Sequence, residues 1–132
     1  MAVSNIKEVF SCEIHEVWEV VTAVDKYKTW RSDLSKTECI NEKQFVEYTK
    51  EGYATNFTIT TSEPYKRWEF DMENENMKGH WIGIFNQKGE QTEVDFTEDV
   101  TAKKIIIKPF VKAYLKKQQA QFIQDLKKRC HA

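Results

Sequence analysis

The sequence predicts an α+β fold: a curved antiparallel sheet of about seven strands, preceded by two short helices and followed by one long helix across its concave face. Three observations predict it. From Leu34 to about Lys103, apolar residues recur at every second position, in runs separated by turn-forming residues. From Pro109 to Cys130 they recur at steps of four and seven, which places them on one helix face. No other stretch is long enough to cover the sheet, and a meander of this length twists until its concave apolar face must be covered.

Taken in order, Val3 to Phe10 reads as an opening strand. Ser11 is the expected N-cap of a helix from about Cys12 to Thr22, with Glu13 in its first turn facing the positive helix end. Ile14, Val17, Trp18 and Val21 form its apolar face. A second short helical piece covers Asp25 to Thr29, and Tyr27 and Trp30 are spaced to share a face. In the strand region Tyr53, Thr55, Phe57 and Ile59 lie on one side, as do Trp68, Phe70 and Met72. Met77, Gly79, Trp81, Gly83 and Phe85 share another face, and Val94, Phe96 and Val100 alternate with Glu93, Asp95, Thr97 and Asp99. Asn41-Glu42-Lys43, Glu51-Gly52, Ser62-Glu63-Pro64, Asn74-Glu75-Asn76 and Lys88-Gly89-Glu90 punctuate the runs.

Pro109 suits the first position of the last helix, where its missing N–H is not needed. Val111, Leu115, Phe122 and Leu126 form the helix stripe; Ile123 and Cys130 widen it, and Tyr114 lies off its other edge. Lys112, Lys116, Lys117, Gln121, Lys127 and Lys128 are a solvated face. Between Leu115 and Phe122 the stripe passes through Gln118 and Gln119, whose amides are costly to bury without partners. A helix across a strongly curved sheet cannot touch it everywhere. A gap is therefore expected near the helix middle, with Gln118 or Gln119 looking into it.

Composition narrows the class of function. The 132 residues carry a net charge of −1 with both signs abundant, so no overall field attracts nucleic acid or an anionic membrane. One domain spanning 1–132 is expected at this length. Met1 to Phe10 lacks the pattern of a signal peptide, and no run approaches a transmembrane segment. Three widely spaced cysteines, Cys12, Cys39 and Cys130, fit a reduced, cytoplasmic protein, in which the sequon at Asn56 is incidental.

With these elements in place the chain resembles the helix-grip superfamily (SRPBCC), which contains START domains, birch-pollen-allergen-like proteins and polyketide cyclases or aromatases. It is most similar to small bacterial polyketide-cyclase-like members. The resemblance rests on Glu16-Val17-Trp18-Glu19-Val20-Val21, Tyr27-Lys28-Thr29-Trp30-Arg31-Ser32-Asp33, Glu63-Pro64-Tyr65-Lys66-Arg67-Trp68-Glu69, Gly79-His80-Trp81, Thr92 to Glu98 and the terminal helix. It covers nearly the whole chain and implies a helix-grip fold. Its members include lipid carriers, hormone receptors, cyclases and co-chaperones resembling the Hsp90 ATPase activator, so function has to be argued from the site.

The reading that follows is binding of a small hydrophobic molecule between sheet and helix, with no cofactor and no nucleic acid. The expected lining is Trp30, Phe57, Trp68, Phe70, Trp81, Phe85, Phe96, Tyr114, Gln118, Gln119 and Phe122. The same aromatics could instead fill the core solidly. Two rival classes are a cyclase or aromatase moving protons through Glu98, His80 or Tyr114, and a protein-interaction module with a filled interior and an exposed apolar patch. Glu98 shares parity with Val94 and Phe96, so an unbroken strand aims its carboxylate inward; a strand end or bulge there returns it to the rim, which is the expected placement. His80 has the parity opposite to Trp81 and is expected at the surface. Arg31 either meets an anionic ligand group or pairs with Asp33 or Glu98, the structural pair being the expected role. Cys12 and His15 share a helical face, and Cys130-His131 lies at the terminus, but a closed zinc site needs four ligands and no partner pair is apparent, so no metal is expected.

Overall fold

Seven strands form one antiparallel sheet in the structure, a computed structural model describing residues 1–130. In chain order they are β1 (Ala2–Phe10), β2 (Leu34–Cys39), β3 (Gln44–Thr49), β4 (Ala54–Glu63), β5 (Arg67–Glu73), β6 (Met77–Lys88) and β7 (Gln91–Ala102). Helix α1 (Ile14–Thr22) and a 3-10 segment (Val24–Thr29) connect β1 to β2, and a second 3-10 segment (Ile105–Phe110) leads into α2 (Val111–Cys130). The strand order is β1-β7-β6-β5-β4-β3-β2. Strands β2 to β7 are thus a meander, β1 pairs with its last strand, and the first two helical pieces pass from one sheet edge to the other. This is the helix-grip α+β fold, and among the described residues no helix is long and apolar enough to cross a membrane.

Two helix starts differ from expectation. Ser11 does not cap α1. Glu13 occupies the cap position without a side-chain bond, and the Ile14 N–H donates to Gln87 Oε1 on β6 at 3.0 Å. A strand side chain distant in sequence has replaced the local cap. Pro109 does not open α2 either; it lies inside the preceding 3-10 segment, where its fixed φ is tolerated, and the α-helix begins at Val111.

The concave face holds the core. Phe10, Val17, Val21, Trp68, Val94, Phe96 and Leu126 are almost completely buried there. Helix α2 packs on β1, β7 and α1 rather than over the middle of the meander. Leu115, Ile123 and Leu126 face inward, and the Gln119 amide clasps β1. The Ser4 hydroxyl donates to Gln119 Oε1 at 2.8 Å, and Gln119 Nε2 donates to the Ser4 carbonyl at 3.0 Å. At its C-terminal half, Asp125 accepts from the Ser32 N–H and hydroxyl, both at 2.9 Å, and ties the segment after the first 3-10 turn to α2. Lys127, expected in solvent, instead lies partly covered against Phe10 and pairs with Glu8 at 3.2 Å.

Glycine at position 83 makes room for Trp81, whose ring lies along the strand over it. A methyl group there would stand 2.5 Å from the indole Cη2, closer than atoms tolerate. Gly83→Ala is therefore expected to displace the Trp81 ring and to cost about 1–3 kcal/mol, as overpacked cores do. Urea unfolding with tryptophan fluorescence measures both; native stability and an unchanged native-state spectrum would contradict the packing described.

Candidate functional site

A cavity of about 110 Å³ lies between the concave face and the middle of α2. It exists because α2 is seated over the β1–β7 side, so β3 to β6 curve away beneath it. Nine residues of the expected lining bound it: Phe57, Trp68, Phe70, Trp81, Phe96, Tyr114, Gln118, Gln119 and Phe122. Their rings form a continuous wall. Phe70 and Trp81 stack with centroids 4.9 Å apart, Trp81 meets Phe96 at 4.8 Å, and Phe96 meets Phe122 edge-on at 5.9 Å.

Two expected residues lie elsewhere. Trp30 packs outside the cavity between Tyr27 and Phe122, at centroid distances of 5.5 and 5.3 Å. Phe85 faces inward but is taken up by Trp18 at 5.0 Å, nearer the α1 end of the sheet. Strand parity gives the face correctly and cannot say which end of that face stays open. Both glutamines border the cavity, although the Gln119 amide is already committed to β1.

The cavity's polar residues include Arg31, Asp33, Glu47, Tyr53, Glu98 and Tyr114. Contrary to the expected rim placement, strand β7 does not end or bulge at Glu98: pairing with β1 and β6 runs unbroken from Thr92 to Val100. The side chain therefore points inward and is only 7% exposed. Burial, reinforced by the nearby charge of Glu47 and opposed by Arg31, pushes its carboxyl up to about 7. Among the described residues no hydrogen bond or ion pair reaches that carboxyl. Burial likewise raises the Tyr114 phenol, with Glu98 adding to the effect.

Arg31 is 8% exposed, and each of its three nitrogens donates one hydrogen bond. Its Nε and Nη2 donate to the two Asp33 oxygens at 3.2 and 2.7 Å, and Nη1 donates to Glu47 Oε2 at 2.8 Å. The guanidinium also lies over the rings of Tyr27 and Phe122, at 5.0 and 5.2 Å. Burial works against its charge, but Glu47 and Asp33 outweigh that and hold it above its ordinary range. Burial raises Glu47 against the pull of Arg31, and their short contact keeps the pair ionic. The Asp33 partner was expected; Glu47 takes the place expected of Glu98. The signal for Glu47 was present in its parity with Phe45, the same alternation that singled out Glu98. Tyr53, also missed as a site residue, carries a buried hydroxyl without a partner among the described residues, and it borders both the cavity and a surface cleft lined by Asn74 and Lys103.

The remaining candidates fall outside the cavity. His80 sits on the opposite sheet face between Glu69 and Asp71, at 2.7 and 2.6 Å. Burial lowers its pKa, but those two carboxylates outweigh it, and the net shift is upward. His15 is exposed beside Glu13. The Cys12 thiol is buried and donates to the Cys130 carbonyl at 3.3 Å; His131 lies outside the described residues. No group of three metal-ligating side chains is found among the described residues.

The family model for polyketide cyclase/dehydrase and lipid transport proteins matches residues 2–131. The chain belongs to that family. Solved structures agree in fold. A START superfamily protein from Mycobacterium smegmatis has a TM-score of 0.88 at 12% identity, covering 99% of this chain and 98% of its own. A conserved protein from Geobacillus kaustophilus has a TM-score of 0.84 at 13% identity, covering 98% and 95%. The Aha1 dimer from Colwellia psychrerythraea has a TM-score of 0.77 at 16% identity, covering 98% and 96%. No curated protein matches the sequence.

The buried acid sets a pH dependence of stability. The Glu98 carboxyl rises from 4.5 to about 7 on folding, so the native state holds its proton more tightly than the unfolded chain. Its contribution to stability is complete below the unfolded value and is lost as pH rises to the folded one, a fall on the order of 3 kcal/mol. Glu47 and His80, both raised, act in the same direction. Glu98→Gln is expected to remove most of the decline between pH 5 and 8 and to exceed the native protein in stability at pH 8. Equal pH slopes in urea unfolding of the two proteins would contradict a buried, unpaired acid.

Proposed function

We propose that this domain binds a small, mostly apolar molecule between sheet and α2, as a carrier or sensor of that molecule. The observation carrying this reading is an aromatic-walled cavity of about 110 Å³ bordered by a buried carboxyl, Glu98, that no group among the described residues bonds. Solid packing would fill such a space, and a buried acid without a partner is costly unless something else meets it. Apolar cavities of roughly 150 Å³ accept benzene, so the space suits a single ring or a short branched chain.

A second reading is supported by Glu98 itself. A carboxyl held near neutrality inside a cavity can give and take a proton at physiological pH, and Tyr114 stands at the same end. A cyclase- or aromatase-like proton transfer would use these two groups, while His80, on the outer face, has no part in it. The protein-interaction reading called for a filled interior together with an exposed apolar patch; Ile105, Ile106 and Phe110 are exposed, but the cavity argues against the filled interior.

Benzene tests the binding reading directly. Saturating benzene is expected to raise the unfolding midpoint of the native protein through mass action. It should leave unchanged the midpoint of Val100→Phe, in which an added ring occupies the cavity wall. A native midpoint indifferent to benzene would remove the reading.

A further inference from the structure

The ligand's polar chemistry can be read from which cavity groups remain available. Arg31 offers an anion little: three of its five N–H donors already serve Asp33 and Glu47, whose two carboxylates outweigh its charge, and its guanidinium lies over two rings. A ligand carboxylate could reach only the two remaining N–H donors of Arg31, and would do so beside two carboxylates that already balance its charge. It would also enter an end of the cavity where one guanidinium faces Asp33 and Glu47, with Glu98 as a third carboxyl. Among the described residues the cavity groups that make no hydrogen bond within the protein include the Glu98 carboxyl and the Tyr53 hydroxyl; an ionised Glu98 calls for a hydrogen-bond donor, whereas the hydroxyl can donate or accept. The π-faces of Trp81, Phe96 and Phe122 suit a cation's alkyl or aromatic body.

Within the binding reading, we infer that the cavity selects a small apolar amine, its nitrogen hydrogen-bonded to Glu98, and rejects carboxylates of the same size. The amine gives the Glu98 carboxylate the donor it lacks and balances a site whose fixed charges are in acidic excess. No rearrangement of the Arg31 cluster is needed.

Cyclopentanol, cyclopentylamine and cyclopentanecarboxylate, titrated separately at pH 7.5 and followed by NMR, test this against the native protein and Glu98→Gln. Expected is at least tenfold tighter binding of the amine than of the carboxylate, with that preference lost in Glu98→Gln. Binding of the alcohol with the carboxylate equal to or tighter than the amine would overturn the inference and leave the cavity reading standing. An amine preference that survives in Glu98→Gln would also overturn it. Failure of all three probes to bind would overturn both.

A different surface carries a second inference. Between Asp99 and Asp125 the chain has no acidic residue but contains Lys103, Lys104, Lys108, Lys112, Lys116 and Lys117, in a molecule of net charge −1. All six are exposed, and among the described residues only Lys103 is ion-paired, with Glu73 at 2.5 Å. Amid them Ile105, Ile106 and Phe110 are 90%, 78% and 68% exposed, in a 3-10 segment that buries none of its residues. A 3-10 segment rises about 2 Å per residue, so the three side chains lie within roughly 10 Å along its axis. Tyr114, four residues beyond Phe110, is 47% exposed and borders the cavity.

We propose that this tip docks on an anionic lipid bilayer. The lysines meet the headgroups while Ile105, Ile106 and Phe110 enter the acyl boundary. A bilayer needs no recess shaped to these side chains, and docking there would bring the Tyr114 edge of the cavity to the source of an apolar ligand. Flotation with phosphatidylcholine vesicles, with and without phosphatidylserine, tests it. Expected is binding only to the anionic vesicles, weakened at least tenfold by raising salt and lost in both Lys104→Glu/Lys108→Glu and Ile105→Ser/Ile106→Ser. No vesicle binding, equal binding to neutral vesicles, or variants that bind like the native chain would overturn it. Capture of an acidic protein without vesicle binding would also do so.

Discussion

The seat of α2 on one side of the sheet is the constraint from which the other features follow. Gln119 fixes it midway along the helix, exchanging two hydrogen bonds with Ser4 on β1, while Leu115, Ile123 and Leu126 bury on either side. A coiled seven-stranded sheet is too curved for one straight helix to follow. Held against β1 and β7, α2 stays clear of β3 to β6, and the aromatic residues of those strands line the space left over. Ser4 is the β1 partner of Glu98 in register, so the clasp that positions the helix lies beside the buried acid.

Charge inside this cavity is divided between a closed set and an open one. Arg31, Asp33 and Glu47 come from the segment after the first 3-10 turn and from β3, and they satisfy one another; Asp125 of α2 holds the same segment from below through Ser32. Glu98 stands next to them without sharing in their bonds. Its neighbours therefore act on it mainly through burial and the charge of Glu47, both of which favour the neutral acid. The same residue type on two strands of one sheet thus has opposite status: Glu47 is a structural anion, Glu98 a group still free to hold or release a proton.

Much of the fold was legible because alternation is a local property. In β7, Thr92, Val94, Phe96, Glu98 and Val100 all point inward, as their parity requires, and the same rule puts His80 outside and Trp81 inside. Where expectation and structure part, a distant side chain has intervened. Gln87 caps α1 in place of Ser11, Glu47 reaches Arg31 before Glu98 does, and Trp18 claims Phe85 for the far end of the core. None of these contacts leaves a pattern in the neighbouring sequence, since each joins elements far apart along the chain.

What the sequence determined by itself was the set of elements, the face each residue occupies and the need for α2 to cover a concave sheet, because periodicity depends only on backbone geometry. Tertiary structure alone decided where along that face the packing fails to close, which carboxylate pairs with Arg31 and which remains alone. Those outcomes depend on sheet curvature and on distances of a few ångströms between side chains from different strands. The polar step at Gln118 and Gln119 marked the middle of α2 as unusual; only the fold shows that one amide fastens the helix while the space beside it stays open.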